Sequence, residues 1–203
     1  MKFETREYNF EIRTKKDEAE RGVITGRPIV YDSRTNLGLF DEIIAEGALD
    51  KANLKDVRFL VNHDVSKIPL ARSRNNNENS TMQLKIDEKG LVIRVKLDIQ
   101  NNTEARNLYS AIERGDVSGM SFMFAVENDD WEGLDTEHPT RTIWSISNVV
   151  EVSAVTFPAY EKTEINVRDK QALDNAKSAL DGARRSLESD LKLLKAKIKI
   201  LTK

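Results

Sequence analysis

Apolar residues along this 203-residue chain follow two different periods, and the change falls near residue 168. Up to residue 156 they alternate or cluster in short β-forming runs. From residue 169 they recur every three or four positions. The runs at 3–13 and 22–31 gather Tyr8, Phe10, Ile12, Val23, Ile24, Ile29 and Val30, and predict a strand pair whose second member bends at Gly26 and Pro28. Residues 40–47 read as a strand and turn, 48–53 as a short helix, and 56–62 and 67–74 as two strands. The polar run 75–80 is a loop. Alternation over 82–87 and 91–97 around Glu88-Lys89-Gly90 predicts a hairpin. Residues 103–114 carry Ala105, Leu108, Ala111 and Ile112 on one helical face and stop at Gly115. Strands at 122–127 and 141–146 flank a polar loop at 129–133, and a last strand, 149–156, is closed by Phe157-Pro158-Ala159-Tyr160. Many short strands with two inserted helices predict an α+β fold, a mostly antiparallel β-barrel or closed sheet with short surrounding helices.

The remainder, 169–203, predicts one long helix. Leu173, Ala176, Leu180, Ala183, Leu187, Leu191, Leu194, Ile198 and Leu201 are spaced as a heptad seam with one four-residue phase shift. At 1.5 Å per residue it extends about 50 Å. Such a seam has to be covered, either by folding back on the body or by pairing with another helix. The expected organisation is therefore a body, 1–168, and a helical tail, 169–203.

Charge supports that division. The chain carries a formal net charge of −2, but residues 169–203 hold nine Lys or Arg against five Asp or Glu. The mixed signs elsewhere give no nucleic-acid-binding surface. There are no cysteines, which removes disulfides, thiolate nucleophiles and Cys-ligated metals. No apolar stretch approaches the roughly 18 residues of a membrane span, and the first residues lack the apolar block of a signal peptide. The expectation is a soluble intracellular protein with no membrane contact and no bound cofactor.

Three apolar runs each carry one chemically capable side chain. His63 ends the run 59–64, Ser121 lies in 119–126, and Glu151 is centred in Val149-Val150-Glu151-Val152. A histidine, a serine and a carboxylate on separate strands are the parts of an activated serine nucleophile. Each has a blander reading alone. A histidine between Asn62 and Asp64 at a strand end is an ordinary surface hydrogen-bonder, and a buried strand serine bonds to backbone. Glu151 is either on the solvated face of an edge strand or buried with a partner, because burial without one is costly. His138 reads as surface, Trp131 and Trp144 as packing residues. A zinc site from His63, Asp64 and Glu151 is disfavoured by its single histidine.

Taken in order, Gly38-Leu-Phe-Asp-Glu-Ile-Ile44, Gly47-Ala48-Leu49, Val61-Asn62-His63-Asp64 with Arg72 soon after, Gly115 to Phe122, and Glu151-Val-Ser-Ala-Val-Thr-Phe-Pro-Ala-Tyr160 resemble the prohead (procapsid maturation) proteases of tailed bacteriophages, of the HK97 type. The resemblance covers about residues 20–168. It implies a serine endopeptidase that works inside an assembling procapsid in the bacterial host cytoplasm, cutting scaffolding segments from the major capsid protein and often itself. It also implies a β-barrel similar to the herpesvirus assembly proteases. Carried over, it puts the general base on His63 and the nucleophile in Ser118-Gly-Met-Ser121, with Ser121 preferred and Ser118 the alternative. The third member is Glu151, with Asp64 the alternative; Ser153 would share the face of Glu151. The tail would then serve homo-oligomerisation or docking to scaffold segments. Two other readings stand beside it: a catalytically silent assembly module built around the coiled coil, and an intracellular esterase, which the absence of a Gly-x-Ser-x-Gly elbow weakens.

Overall fold

The computed structural model describes residues 3–8, 12–14, 21–156 and 167–201. The strands are β1 (Glu4–Tyr8), β2 (Arg13–Thr14), β3 (Val23–Val30), β4 (Thr35–Asn36), β5 (Asp41–Ile44), β6 (Asp56–Val61), β7 (Ala71–Arg74), β8 (Met82–Asp87), β9 (Gly90–Lys96), β10 (Gly119–Glu132) and β11 (Thr140–Val155). The helices are α1 (Thr103–Arg114) and α2 (Val167–Leu201). The α+β class follows as expected, with strands predominating.

Among the described residues the expected closed barrel does not form. The strands make a seven-stranded sheet, β1-β10-β11-β5-β4 with β6 and β7 branching from β11, and a separate four-stranded sheet, β2-β3-β9-β8. The reason lies in β11. At 16 residues it is long enough to take β5 in parallel along Thr140–Ile143 and β6 in parallel along Glu151–Ala154. Its hydrogen bonds are spent on that branch rather than on a ring. Beside it β10 runs antiparallel, with register shifts between Met123 and Asp129 that bend the hairpin. The two sheets share one core, including Ile24, Ile29, Phe59, Leu91, Ile93, Phe122, Phe124 and Val152.

Several local expectations are also corrected. Residues 48–53 form a turn over 48–51 and a bridge from Asn53 to Asn148, not a helix, with Ala48 and Leu49 buried. The strand expected at 67–74 is confined to β7, because 65–70 belong to the turn that follows His63. The polar loop expected at 129–133 is instead mostly strand: Asp129 to Glu132 extend β10 opposite Thr140 to Ile143, with loop only at 133–139. The run 3–13 does not pair with 22–31 as one strand; β1 joins β10 and β2 joins β3. The closing Phe157–Tyr160 lies outside the described residues. α1 matches its prediction, with Asn102 accepting from Ala105 N–H at its start and Gly115 at φ 82° at its end.

α2 divides along its length. Near its start Asp169 and Leu173 are buried, Leu173 against Leu37 and Phe40. Further on, Leu187, Leu191 and Leu194 are exposed. Among the described side chains the seam is thus covered by the body at its beginning and bare over 187–194.

Candidate active site

β6 delivers His63. The strand ends at Val61, and Asn62 and His63 both take left-handed backbone conformations, φ 51° and 58°. That geometry costs a non-glycine residue about 1–2 kcal/mol, and contacts to the end of β11 hold it. Asn62 N–H donates to the Ala154 carbonyl (3.0 Å), its side-chain oxygen accepts from Thr156 N–H (3.0 Å), and its amide donates to Thr156 Oγ1 (3.1 Å). The two-residue reversal turns the imidazole back across the sheet.

β10 and β11 deliver the other groups. Their register sets Ser121 opposite Ser153 and Met123 opposite Glu151, so Ser121, Ser153 and Glu151 share a face. The alternate residues Met120, Phe122 and Phe124 enter the core. On the shared face, His63 Nδ1 lies 2.5 Å from Glu151 Oε1, and His63 Nε2 contacts Ser121 Oγ directly. Ser153 Oγ donates to Glu151 Oε2 at 2.6 Å and accepts from His63 N–H at 3.2 Å. Ser121 Oγ also donates to the Arg6 carbonyl of β1 at 2.5 Å.

Burial sharpens the arrangement. Ser121 and Ser153 are wholly buried, Glu151 is 2% exposed, and the His63 ring keeps some exposure. A buried carboxylate needs partners for both oxygens; Glu151 has the imidazole on one and Ser153 on the other. With the carboxylate accepting a hydrogen bond from Nδ1–H, Nε2 carries a lone pair facing the Ser121 hydroxyl. That is the geometry for moving a proton from oxygen to nitrogen.

The alternatives fall elsewhere. Ser118 is exposed ahead of β10, and its carbonyl accepts from Ile12 N–H. Asp64 binds the hydroxyl (2.5 Å) and N–H (3.1 Å) of Ser66, which hold its carboxyl below the ordinary carboxylate range. It faces the following turn rather than the imidazole. His138 is a surface partner of Asp41 (2.8 Å). Trp131 packs edge-on against Phe40, and half-exposed Trp144 donates to Asp130. Arg72 forks onto Asp56 at 2.5 and 2.6 Å. Among the described residues no cluster of three His, Asp or Glu is arranged to hold a metal ion, and no helix is long and apolar enough to cross a membrane.

Behind the site lies a buried charge cluster that the sequence reading missed. Arg6 forks onto Glu42 (2.5 and 2.7 Å), and Arg141 reaches Glu4 (2.7 and 3.0 Å), Glu42 (3.1 Å) and Asp129 (2.6 Å). Asp169 of α2 completes it, 3.1 Å from Arg6. Burial alone would lower the pKa of Arg6, but Glu42, Glu4 and Asp169 outweigh it and raise it. The one legible trace was Glu42 sitting beside Ile43 and Ile44 in a short strand.

The model of a family described as caudovirus prohead serine protease matches residues 9–178. Among curated proteins, the prohead protease of Enterobacteria phage HK97 is 30% identical over 151 residues, 73% of this chain and 60% of that protein. The chain thus spans about three fifths of the length of that relative. No solved structure matches significantly.

Proposed function

The chain belongs to the family of caudovirus prohead serine proteases, and from that premise we propose that it is a serine endopeptidase. Its substrates are the scaffolding segments of the phage major capsid protein, and in part itself, during procapsid maturation. The observation that carries the reading is the His63 ring, held between Glu151 Oε1 and Ser121 Oγ. Residues 1–168 are the catalytic domain and 169–203 the helical tail, and the protein works inside the assembling procapsid in the host cytoplasm.

The reaction proceeds by acylation of Ser121 and then hydrolysis of the acyl-enzyme. Ser121 Oγ attacks the scissile carbonyl carbon as its proton passes to His63 Nε2. The imidazolium formed is stabilised by Glu151, which also fixes the ring through Nδ1. His63 returns that proton to the leaving amine as the C–N bond breaks, leaving an ester on Ser121. Water, deprotonated by the same nitrogen, hydrolyses the ester and restores the serine. Ser153 keeps the carboxylate and the His63 backbone in register throughout.

The exposed Leu187, Leu191 and Leu194 favour a role for α2 in pairing with a second copy or with a helical scaffold segment. The protease reading is tested by co-expressing the chain with its capsid protein as wild type, Ser121→Ala and Ser118→Ala, and weighing the capsid chain intact. Truncation lost only in Ser121→Ala is expected. Truncation that persists in Ser121→Ala moves the nucleophile, and an intact capsid chain in assembled wild-type particles favours a purely scaffolding role.

A further inference from the structure

We propose that the edge of β10 beside Ser121 is the seat of the substrate's extended chain, and that β1 occupies that seat in the resting protein, held there by Arg6. The proposal rests on Ser121 being the nucleophile.

A nucleophilic oxygen has to come within about 3–3.5 Å of a peptide carbonyl carbon. Ser121 has no exposed surface through which a substrate can arrive. What covers it is partly β1, antiparallel to β10 with Arg6 opposite Phe122 and Glu7 opposite Ser121. The Arg6 carbonyl oxygen accepts from Ser121 Oγ at 2.5 Å. The peptide group joining Arg6 to Glu7 therefore stands where a scissile group has to stand, presenting its oxygen rather than its carbon. The same contact diverts the serine's proton. A hydroxyl has one hydrogen to give, and when it goes to the Arg6 carbonyl it is not given to His63 Nε2. β1 thus fills the seat and withholds the proton that the general base has to take.

The strand is placed so that it can be exchanged. It is the outermost strand at its end of the large sheet among the described residues, so no other strand has to move when it leaves. An exposed strand edge is the ready template for an added polypeptide chain, with main-chain hydrogen bonds for affinity. Beyond its ladder with β10, β1 is held by two side chains: Glu4, bound at both oxygens by Arg141, and buried Arg6, fastened to Glu42 in the sheet and to Asp169 at the start of α2. Asp169 links this hold to a helix whose distal leucines are exposed. A helical partner that draws α2 aside removes Asp169 from Arg6 and weakens the grip on β1. Assembly on α2 then favours the open seat by differential binding to the released form.

The test uses the full chain with Thr5→Cys and Met123→Cys, positions directly opposite in the β1–β10 register, in a sequence with no other cysteine. Oxidation locks β1 to β10, and reduction frees it. A fluorophosphonate probe reports the reactive serine, and the adduct on Ser121 is followed by mass. Asp169→Asn in the otherwise native chain, checked for native fold by circular dichroism, is the second variant. No adduct in the locked form, an adduct after reduction, and labelling about tenfold faster in Asp169→Asn than in wild type are expected. Equal labelling of locked and reduced protein overturns the proposal while leaving Ser121 the nucleophile. Labelling of Asp169→Asn at the wild-type rate removes α2 from the latch. No adduct in any form removes Ser121 as the nucleophile, and the proposal with it.

Discussion

Ser153 Oγ donates to Glu151 Oε2 at 2.6 Å, so the carboxylate that faces His63 through Oε1 is fixed at its other oxygen by a neighbour on the same strand. The same hydroxyl oxygen accepts the His63 backbone N–H. One small side chain therefore positions both the Glu151 carboxylate and the His63 backbone.

Ser153→Ala is expected to lower kcat about tenfold with KM nearly unchanged, because it loosens a proton-transfer geometry and touches no substrate. Steady-state kinetics on a capsid-derived peptide separates the two constants. A rise in KM alone would place Ser153 in substrate binding instead.

Glu151→Gln keeps the size of the side chain but removes the charge that stabilises the imidazolium and selects the tautomer. A loss of about 10³–10⁴ in kcat is expected, with the fold retained by circular dichroism. A loss below about tenfold would show that the third group lies elsewhere.

The left-handed turn at Asn62 gives a third expectation. Asn62→Ala loses both bonds to Thr156 and suffers the left-handed strain, and is expected to lose about 2 kcal/mol in urea denaturation. Asn62→Gly relieves the strain but not the bonds, and recovers part of that loss.

Much of the candidate site was legible because each of its groups sits in a short run of apolar neighbours. His63 follows the end of β6, Ser121 lies between Met120 and Phe122 of the core, and Glu151 lies beside Val152 of the core. The pairing that makes them meet was not legible. Register between β10 and β11 is a long-range property, and the parallel attachment of β6 to β11 depends on strands some 90 residues apart. For the same reason the open, branched sheet was read as a barrel. Local signals count strands but do not say which edge each one takes. The cap and stop of α1 are local, and there the boundaries agree. Residues 48–53 failed because buried Ala48 and Leu49 mimic a helical face while the backbone turns. Arg6, Glu42 and Arg141 were not singled out in the sequence, since a buried ion cluster leaves no periodic trace.

That cluster makes a stability prediction. Arg6→Met leaves Glu42 buried with Arg141 as its remaining partner, and is expected to cost about 3 kcal/mol in urea denaturation. Pairing it with Glu42→Leu is expected to restore part of the loss, since one of the two buried carboxylates that lost Arg6, Glu42 and Asp169, is then gone.

Acid should act on the same cluster. Burial raises the Glu4 carboxyl, but the hydrogen bond from Arg141 and the charges of Arg6 and Arg141 outweigh it and hold its pKa below the ordinary 4.5. A group depressed in the folded state stabilises the protein above its unfolded pKa, and that contribution is lost as pH falls through the folded value. Urea midpoints should therefore fall as the pH drops below 4.5, with a shallower fall in Glu4→Gln. An identical acid slope in the variant would contradict the assignment.

The most direct measurement of the central claim is the site of covalent trapping. Protease recovered from particles co-assembled with its capsid protein is treated with a fluorophosphonate and digested, and the modified residue is read by tandem mass spectrometry. The account predicts one adduct, on Ser121, that disappears in His63→Ala. An adduct on another serine, or one on Ser121 undiminished in His63→Ala, would contradict it.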